Sequence, residues 1–315
     1  MNVDNTHSKI AYLIQAHADP DHLKRLVDSL NFKSDFFIHI DKKTKLDIYN
    51  KLFEGYDNVF LLNEHERVKV YWAGFSQVEA TLALVRKCLV AGKSNHYQYK
   101  KAILLSGACY PVKSNVYIHQ FFDQNKEINF IEGMNVTAAN HHKYNYSLEH
   151  YHFFDMFFIS KKITKIYRKF LYYLWYFRKK KNHICINNNS ISIYHGSSWW
   201  ALNMDFLAFV NQFANNDSFF RKYFKHAMAS DEKYFHTLFF NSEFKNTNIS
   251  EGESAFVPST AAFANLHIID SSLSKWFTVA DKEELKNSDK LFVRKVSTST
   301  SKSLLDWIDR ELLNI

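Results

Sequence analysis

Apolar residues along this chain fall into short continuous runs, separated by stretches in which they recur at helical spacing. Ile10–Gln15 is an apolar run of strand length, and in the following AHADPDHLKRLVDSL the residues Leu23, Leu26, Val27 and Leu30 mark one face of a helix. Asp35–Ile40 (DFFIHI) and Asn58–Leu62 read as a second and a third strand, followed by a helix from about Ser76 to Leu89. Ala102–Leu105 is a fourth strand leading into SGACYPVKS, and Asn129–Glu132 (NFIE) a fifth. Strands alternating with helices imply an α/β fold with a mostly parallel sheet flanked by helices. Ligands of such sheets lie beyond the carboxyl ends of the strands. His17, Asp41, Ser106 and Glu132 each follow an apolar run, so one rim is expected to gather them.

The later chain is less regular. A basic aromatic segment is followed by an asparagine-rich loop at Asn187–Asn189, then IYHGSSWWALN, a helix from Met204, SDEKYFHTLFF, and a tail that ends in an amphipathic helix. No internal repeat is present. With 315 residues, of which 46% are hydrophobic, the chain is long enough to bury a full core. Gly (7) and Pro (3) are scarce beside 29 Phe and 18 Tyr, so side-chain packing must hold many of the loops. Cys88, Cys109 and Cys185 are three widely spaced cysteines without a C-x-x-C pair, which suggests neither a disulfide framework nor a zinc site and fits a reducing cytoplasm.

The start, MNVDNTHSKIAYLIQAH, holds an apolar run too short for a signal peptide or a spanning helix, as is Phe170–Phe177. The net charge of +8 is concentrated in residues 161–181 (KKITKIYRKFLYYLWYFRKKK), where cations flank an aromatic centre. This segment reads either as an interfacial helix, giving peripheral contact with the inner face of a membrane or with a lipid-linked acceptor, or as a plain solvated helix. Without a nucleic-acid motif beside it, a nucleic-acid partner is not expected.

Several residues could carry chemistry. In SDEKYFHTLFF, Ser230 or Asp231 suits a helix N-cap, and Glu232 shares the face of the buried Phe235 and Phe239. A carboxylate at the edge of such a face can act as a general base, although acids are also common in the first turn of a helix because they complement its dipole. Asp19-Pro20-Asp21 is the D-x-D of the chain, but Pro20 fits the first helical position and Asp19 its cap, so a helix start is read in place of a metal site. A diphosphate leaving group would then need basic side chains, for which Lys275, Arg294 and Lys295 are candidates. Of the paired tryptophans in GSSWWALN one belongs to the core, and Trp199 is the one assigned to the site. His141, His142, His150 and His152 match no zinc spacing, and the tyrosines between them suggest a polar acceptor surface.

Taken in order, IAYLIQAHADPDHLKRL, FFIHIDKK, VYWAGFSQVEATLAL, AILLSGACYPVKSN, FIEG, GSSWWALN, SDEKYFHTLFF and LFVRKV resemble glycosyltransferase family 14, which holds the core-2/I-branching N-acetylglucosaminyltransferases and the peptide xylosyltransferases. The resemblance implies a GT-A type nucleotide-sugar-binding fold over residues 1–315, with a nucleotide-binding half at 8–133 and an acceptor-binding half at 134–315. It also implies inverting, metal-independent transfer from a UDP-sugar to a glycan hydroxyl, with no cofactor. Residue by residue, Glu232 falls on the catalytic base, Glu132 on a carboxylate that contacts the acceptor, and Lys295 on a diphosphate-binding lysine. Asp41 and His17 fall on the nucleotide edge. Trp72, Ser76, Lys275 and Arg294 are taken with the donor site, and Trp199 and Asp231 with the acceptor site. Cys109 departs from the family pattern, which has Asp there, and this departure raises the rival expectation of an inactive carbohydrate-binding homologue. UDP-GlcNAc with a β-1,6 linkage is the expected donor, UDP-xylose the alternative, and bacterial surface-glycan synthesis the expected setting.

Overall fold

The computed structural model describes residues 9–94, 99–157, 160–186, 189–216, 218–257 and 260–315; the polar leader at 1–8 and Asn187–Asn188 of the asparagine-rich loop lie outside the described residues. Its strands, in chain order, are β1 (Ile10–Ala16), β2 (Ser34–Ile40), β3 (Val59–Leu61), β4 (Lys101–Ser106), β5 (Cys109–Pro111), β6 (Gly133–Asn135), β7 (Ile184–Ile186), β8 (Asn189–Ile191), β9 (Tyr194–Gly196), β10 (Ala201–Leu202), β11 (His267–Ile269) and β12 (Phe292–Arg294).

The central sheet runs β10-β4-β1-β2-β3. β1 pairs in parallel with β2 and β4, β3 continues in parallel on β2, and β10 adds an antiparallel edge to β4. Alternation along β1 explains why this sheet needs cover on both sides. Ala11 and Leu13 join a core with Val78, Leu82 and Val85 of the helix Ser76–Ser94. Ile10, Tyr12, Ile14 and Ala16 face the opposite core, with Leu23, Leu26 and Val27 of the helix Pro20–Ser29 and Leu304, Leu305 and Ile308 of the helix Thr298–Ile308. Each fully buried aliphatic side chain contributes about 1.5–3 kcal/mol relative to an exposed one. A smaller sheet, β11-β12-β5, lies at the exit of β4 and sets Arg294 opposite Cys109.

Asp19 caps the helix Pro20–Ser29, its carboxylate accepting from the His22 amide at 3.3 Å. The same carboxylate accepts from the amide and the hydroxyl of Thr298, both at 2.8 Å, so one side chain ties the start of the last helix to the first strand–helix unit.

Two expected elements take another form. Asn129–Glu132 is not a strand: Phe130 makes a single bridge to Ala201, while the Asn129 amide turns to the Thr247 carbonyl, and pairing resumes at β6 against β9. SDEKYFHTLFF is not one helix but a 3-10 turn, Ser230–Glu232, followed by the helix Tyr234–Phe240. The break is local, because Lys233 leaves helical dihedrals at φ −131° and its ammonium donates back to the carbonyls of Met228 and Ala229. Ser230 is no cap either, since its hydroxyl donates to the carbonyls of Phe224 and Ala227. Glu232 therefore does not share a helical face with Phe235 and Phe239.

Candidate active site

The 3-10 turn presents two adjacent carboxylates that are held very differently. Asp231 accepts from the Ser198 hydroxyl at 2.6 Å and from the Gln77 amide nitrogen at 3.3 Å. Gln77 in turn accepts from the Ala73 amide at 2.9 Å, and the Ala73 carbonyl accepts from the Ala229 amide at 3.0 Å. The turn is thus pinned to the loop that opens the helix Ser76–Ser94. Glu232 is partly exposed, with its Oε2 3.6 Å from Nε2 of the buried His195. Burial and then the neighbouring Asp231 charge push the Glu232 carboxyl up to about 7, against the opposing pull of Lys233 and Lys143. Asp231 is raised as well, chiefly by burial. Lys233 is buried and pushed down to about 8 by the same desolvation, which both carboxylates oppose. His195 is held far below the usual imidazole range by burial and by nearby Lys233, so it is neutral and cannot form a charged pair with Glu232.

Asp231→Asn tests the coupling. Removing the adjacent negative charge lets Glu232 ionise more readily, so the Glu232 titration is expected to move to lower pH by about half to one unit. Titration of the carboxyl by NMR in both proteins measures it.

A cationic group also acts on Asp231. Arg294, at the end of β12, donates through Nε to the Ser106 hydroxyl at 3.1 Å and lies over the Trp199 ring at 4.6 Å. Its field reaches Asp231 and Cys109. Cys109 is fully buried, and its sulfur meets both the amide and the hydroxyl of Ser106 at 3.3 Å. The thiol is pushed up by burial, so Arg294 faces a neutral sulfur here. Lys295 follows directly and is lowered by burial and by Arg294. Trp200 is the core tryptophan, at 1% exposure, which leaves Trp199 at the site.

Gly196 makes this arrangement possible, because a Cβ there would stand 2.1 Å from the Glu132 carbonyl oxygen and 2.5 Å from His236 Nε2. Gly196→Ala is expected to destabilise the fold by about 1–3 kcal/mol, lowering Tm by several degrees in thermal unfolding, because the nearer obstacle is backbone.

Other expected site residues are distributed differently. Asp41 directly follows β2, accepts from the Lys43 amide at 2.9 Å and pairs with the Lys43 ammonium at 3.2 Å. His17 is exposed beside it, its carbonyl accepting from the Thr44 hydroxyl. Ser76 is buried, donating to Asp155 at 2.5 Å and accepting from the Tyr71 amide, so it organises the loop from within. Trp72 is exposed and meets Phe154 edge-on. Lys275 is already paired, 2.7 Å from Asp281 and 3.8 Å from Glu284. Glu132 is buried and accepts from the amide and hydroxyl of Ser250 and the hydroxyl of Ser254; it holds the turn at 250–254 and does not stand open to an acceptor. Of the acceptor surface expected around His141, His142, His150 and His152, His150 and His152 are buried with their rings against Tyr146 and Tyr172, while His141 and His142 are exposed.

A cavity of about 670 Å³ opens near Asp41, lined by Lys43, Tyr71, Phe154, Phe157, Lys161 and Arg168 among others, and it includes neither Glu232 nor Arg294. Among the described residues, no group of three or more His, Cys, Asp or Glu side chains is placed to hold a metal ion. Ser198, Gln77 and His195 are the residues that sequence reading missed. Ser198 sits inside GSSWW and was within reach; Gln77 and His195 carry no local signal.

Comparison with known proteins places this geometry in context. Residues 10–281 match the family model described as Branch: Core-2/I-Branching enzyme. Similar curated proteins include Xylosyltransferase 1 of Rattus norvegicus, 22% identical over 76% of this chain and 27% of that protein. Xylosyltransferase oxt of Drosophila pseudoobscura pseudoobscura is 23% identical over 68% and 22%, and Xylosyltransferase 2 of Homo sapiens 24% identical over 76% and 25%. The chain spans about a quarter of the length of these relatives.

Proposed function

Because the chain belongs to the Core-2/I-Branching enzyme family, and so to the enzymes of sugar transfer, we propose that it moves a sugar from a UDP-sugar to a glycan hydroxyl by one inverting displacement on a GT-A-like fold. Glu232 takes the proton of the acceptor hydroxyl. The freed oxygen attacks the anomeric carbon as the bond to the diphosphate breaks, and the bonding electrons leave with UDP. Arg294 and Lys295 meet the negative charge that develops there, with no metal needed in that role. Asp231 holds Ser198 and keeps the Glu232 proton affinity high. Asp41 and His17 are assigned to the nucleotide edge.

The observation that carries this reading is the pairing of a partly exposed Glu232, raised to about 7, with a half-buried arginine whose field reaches the adjacent Asp231. A general base works best when its proton affinity lies near the working pH, and a desolvated arginine acts strongly on a leaving group. Trp199, half-buried and with one ring face under Arg294, is the aromatic side chain assigned to the acceptor sugar. For the donor, the xylosyltransferase relatives favour UDP-xylose over the UDP-GlcNAc and β-1,6 linkage suggested by the sequence. Assembly of a bacterial surface polysaccharide remains the proposed setting.

The test is donor turnover and thermal shift with UDP-xylose, UDP-GlcNAc, UDP-galactose and UDP-glucose, each with and without EDTA. UDP-xylose is expected to give the largest response, unchanged by EDTA. A response that requires Mn²⁺ would remove the metal-free mechanism, and silence toward all four donors would remove the donor site.

A further inference from the structure

Residues 161–181 contain nine Lys and Arg and no Asp or Glu. Among the described residues, the helix within them, Lys161–Trp175, is anchored through Arg168, Tyr172 and Trp175. Tyr172 accepts from the Tyr146 hydroxyl at 2.9 Å and packs on His150, while Trp175 packs on Tyr151 and Phe153. Arg168 turns the same way, donating to the carbonyls of Phe154 and Met156. These contacts fix the rotation of the helix about its axis, and therefore which face looks outward.

That outward face is apolar. Ile163, Ile166, Phe170, Tyr173, Leu174 and Phe177 are between 48% and 91% exposed. They recur at i, i+3, i+7, i+10, i+11 and i+14, which is one stripe about 100° wide along the helix and its continuation. In a chain that buries its other long apolar runs, six large apolar side chains aligned on the outside form a surface in need of a partner. Exposed Lys162 and Lys169 border the stripe, and exposed Arg178 continues the border past the helix end. Apolar side chains along the middle with cations at the edges, and no acid anywhere in the segment, match the layering of a bilayer surface, where acyl chains lie beneath anionic headgroups. Among the described residues, no helix is long and apolar enough to cross a membrane, so this helix lies on the surface and does not span it.

We propose that Lys161–Phe177 is a docking helix for an anionic lipid bilayer, with the stripe inserted at the headgroup boundary and the lysines on the headgroups. This resolves the two sequence readings of the segment in favour of the interface, and it stands independently of which sugar is transferred. The experiment is co-sedimentation of the full chain with vesicles of phosphatidylglycerol and phosphatidylcholine, against vesicles of phosphatidylcholine alone. Binding is expected to be at least about tenfold tighter to the anionic vesicles. It should fall at least about tenfold in the double variant Ile166→Asp, Leu174→Asp, and in the double variant Lys162→Glu, Lys169→Glu, with donor hydrolysis unchanged in both. All four positions are exposed, and the lysine variant carries the test if the aspartate variant fails to fold. Absence of binding would overturn the proposal. So would binding that both variants retain, which would assign it to the overall positive charge. Self-association in sedimentation velocity without vesicles, abolished by Ile166→Asp and Leu174→Asp, would show that a second copy covers the stripe and would overturn it as well.

Discussion

Glu232→Gln is expected to lower the transfer rate by about 10²–10⁴-fold while leaving UDP binding within a factor of two or three. The amide matches the carboxylate in shape but cannot accept the acceptor's proton. Because Glu232 titrates near 7, kcat/KM of the natural protein should rise with pH through about 7 and then level, and that limb should vanish in the variant. A second readout follows from the same burial. Between the ordinary carboxylate value of 4.5 and about 7, the folded state keeps a proton that the unfolded chain has released, so stability falls as pH rises through this window. The full cost is present above about 7, and the neutral amide avoids it. At pH 8 the variant should therefore be more stable, by up to about 3 kcal/mol in a denaturant midpoint. Lost activity together with lost stability would indicate misfolding, and undiminished activity would remove Glu232 from the mechanism.

Arg294→Met should have the other large effect, about 10²–10³-fold in kcat, together with weaker UDP binding. The half-buried guanidinium lies over Trp199 and donates to Ser106, and its partial desolvation strengthens its charge, so few other groups could substitute for it. Arg294→Lys is expected to recover little, because an ammonium lacks both the planar fork that reaches Ser106 and the flat face that lies on Trp199. Steady-state kinetics and calorimetric titration with UDP measure both. Turnover within about threefold of the natural protein would transfer the leaving-group role to Lys295.

Most strands and helices of the first 106 residues were legible because their signals are local; the short helix Asp47–Leu52, with Tyr49 as its buried residue, was not. Leu23, Leu26, Val27 and Leu30 face one core by helical spacing alone, and β1, β2 and β4 are continuous apolar runs that a doubly covered sheet requires. The Asp19 cap was readable for the same reason. Glu232 and Arg294 were named from their motifs, but their relation was not, since Arg294 reaches the site through β12 pairing with β5. Nor could the pattern show that Glu132 and Lys275 already have partners, because Ser250, Ser254 and Asp281 are selected by tertiary packing. The turn at Ser230–Glu232 reads as helix because Glu232, Phe235 and Phe239 fall at helical spacing, and the buried Lys233 ammonium overrides that pattern by bonding to carbonyls behind it.

β10 carries a consequence for synthesis. It is two residues long, yet it covers the edge of β4, with Ala201 against Ile103 and Leu202 against Ala102. While the ribosome is still making the residues between them, β4 has left the exit tunnel and β10 does not yet exist, so a row of unsatisfied amides and carbonyls on an apolar strand waits for about a hundred further residues. The nascent chain is most open to pairing with a neighbour during that interval, and fragments ending before residue 201 should be recovered chiefly as aggregates.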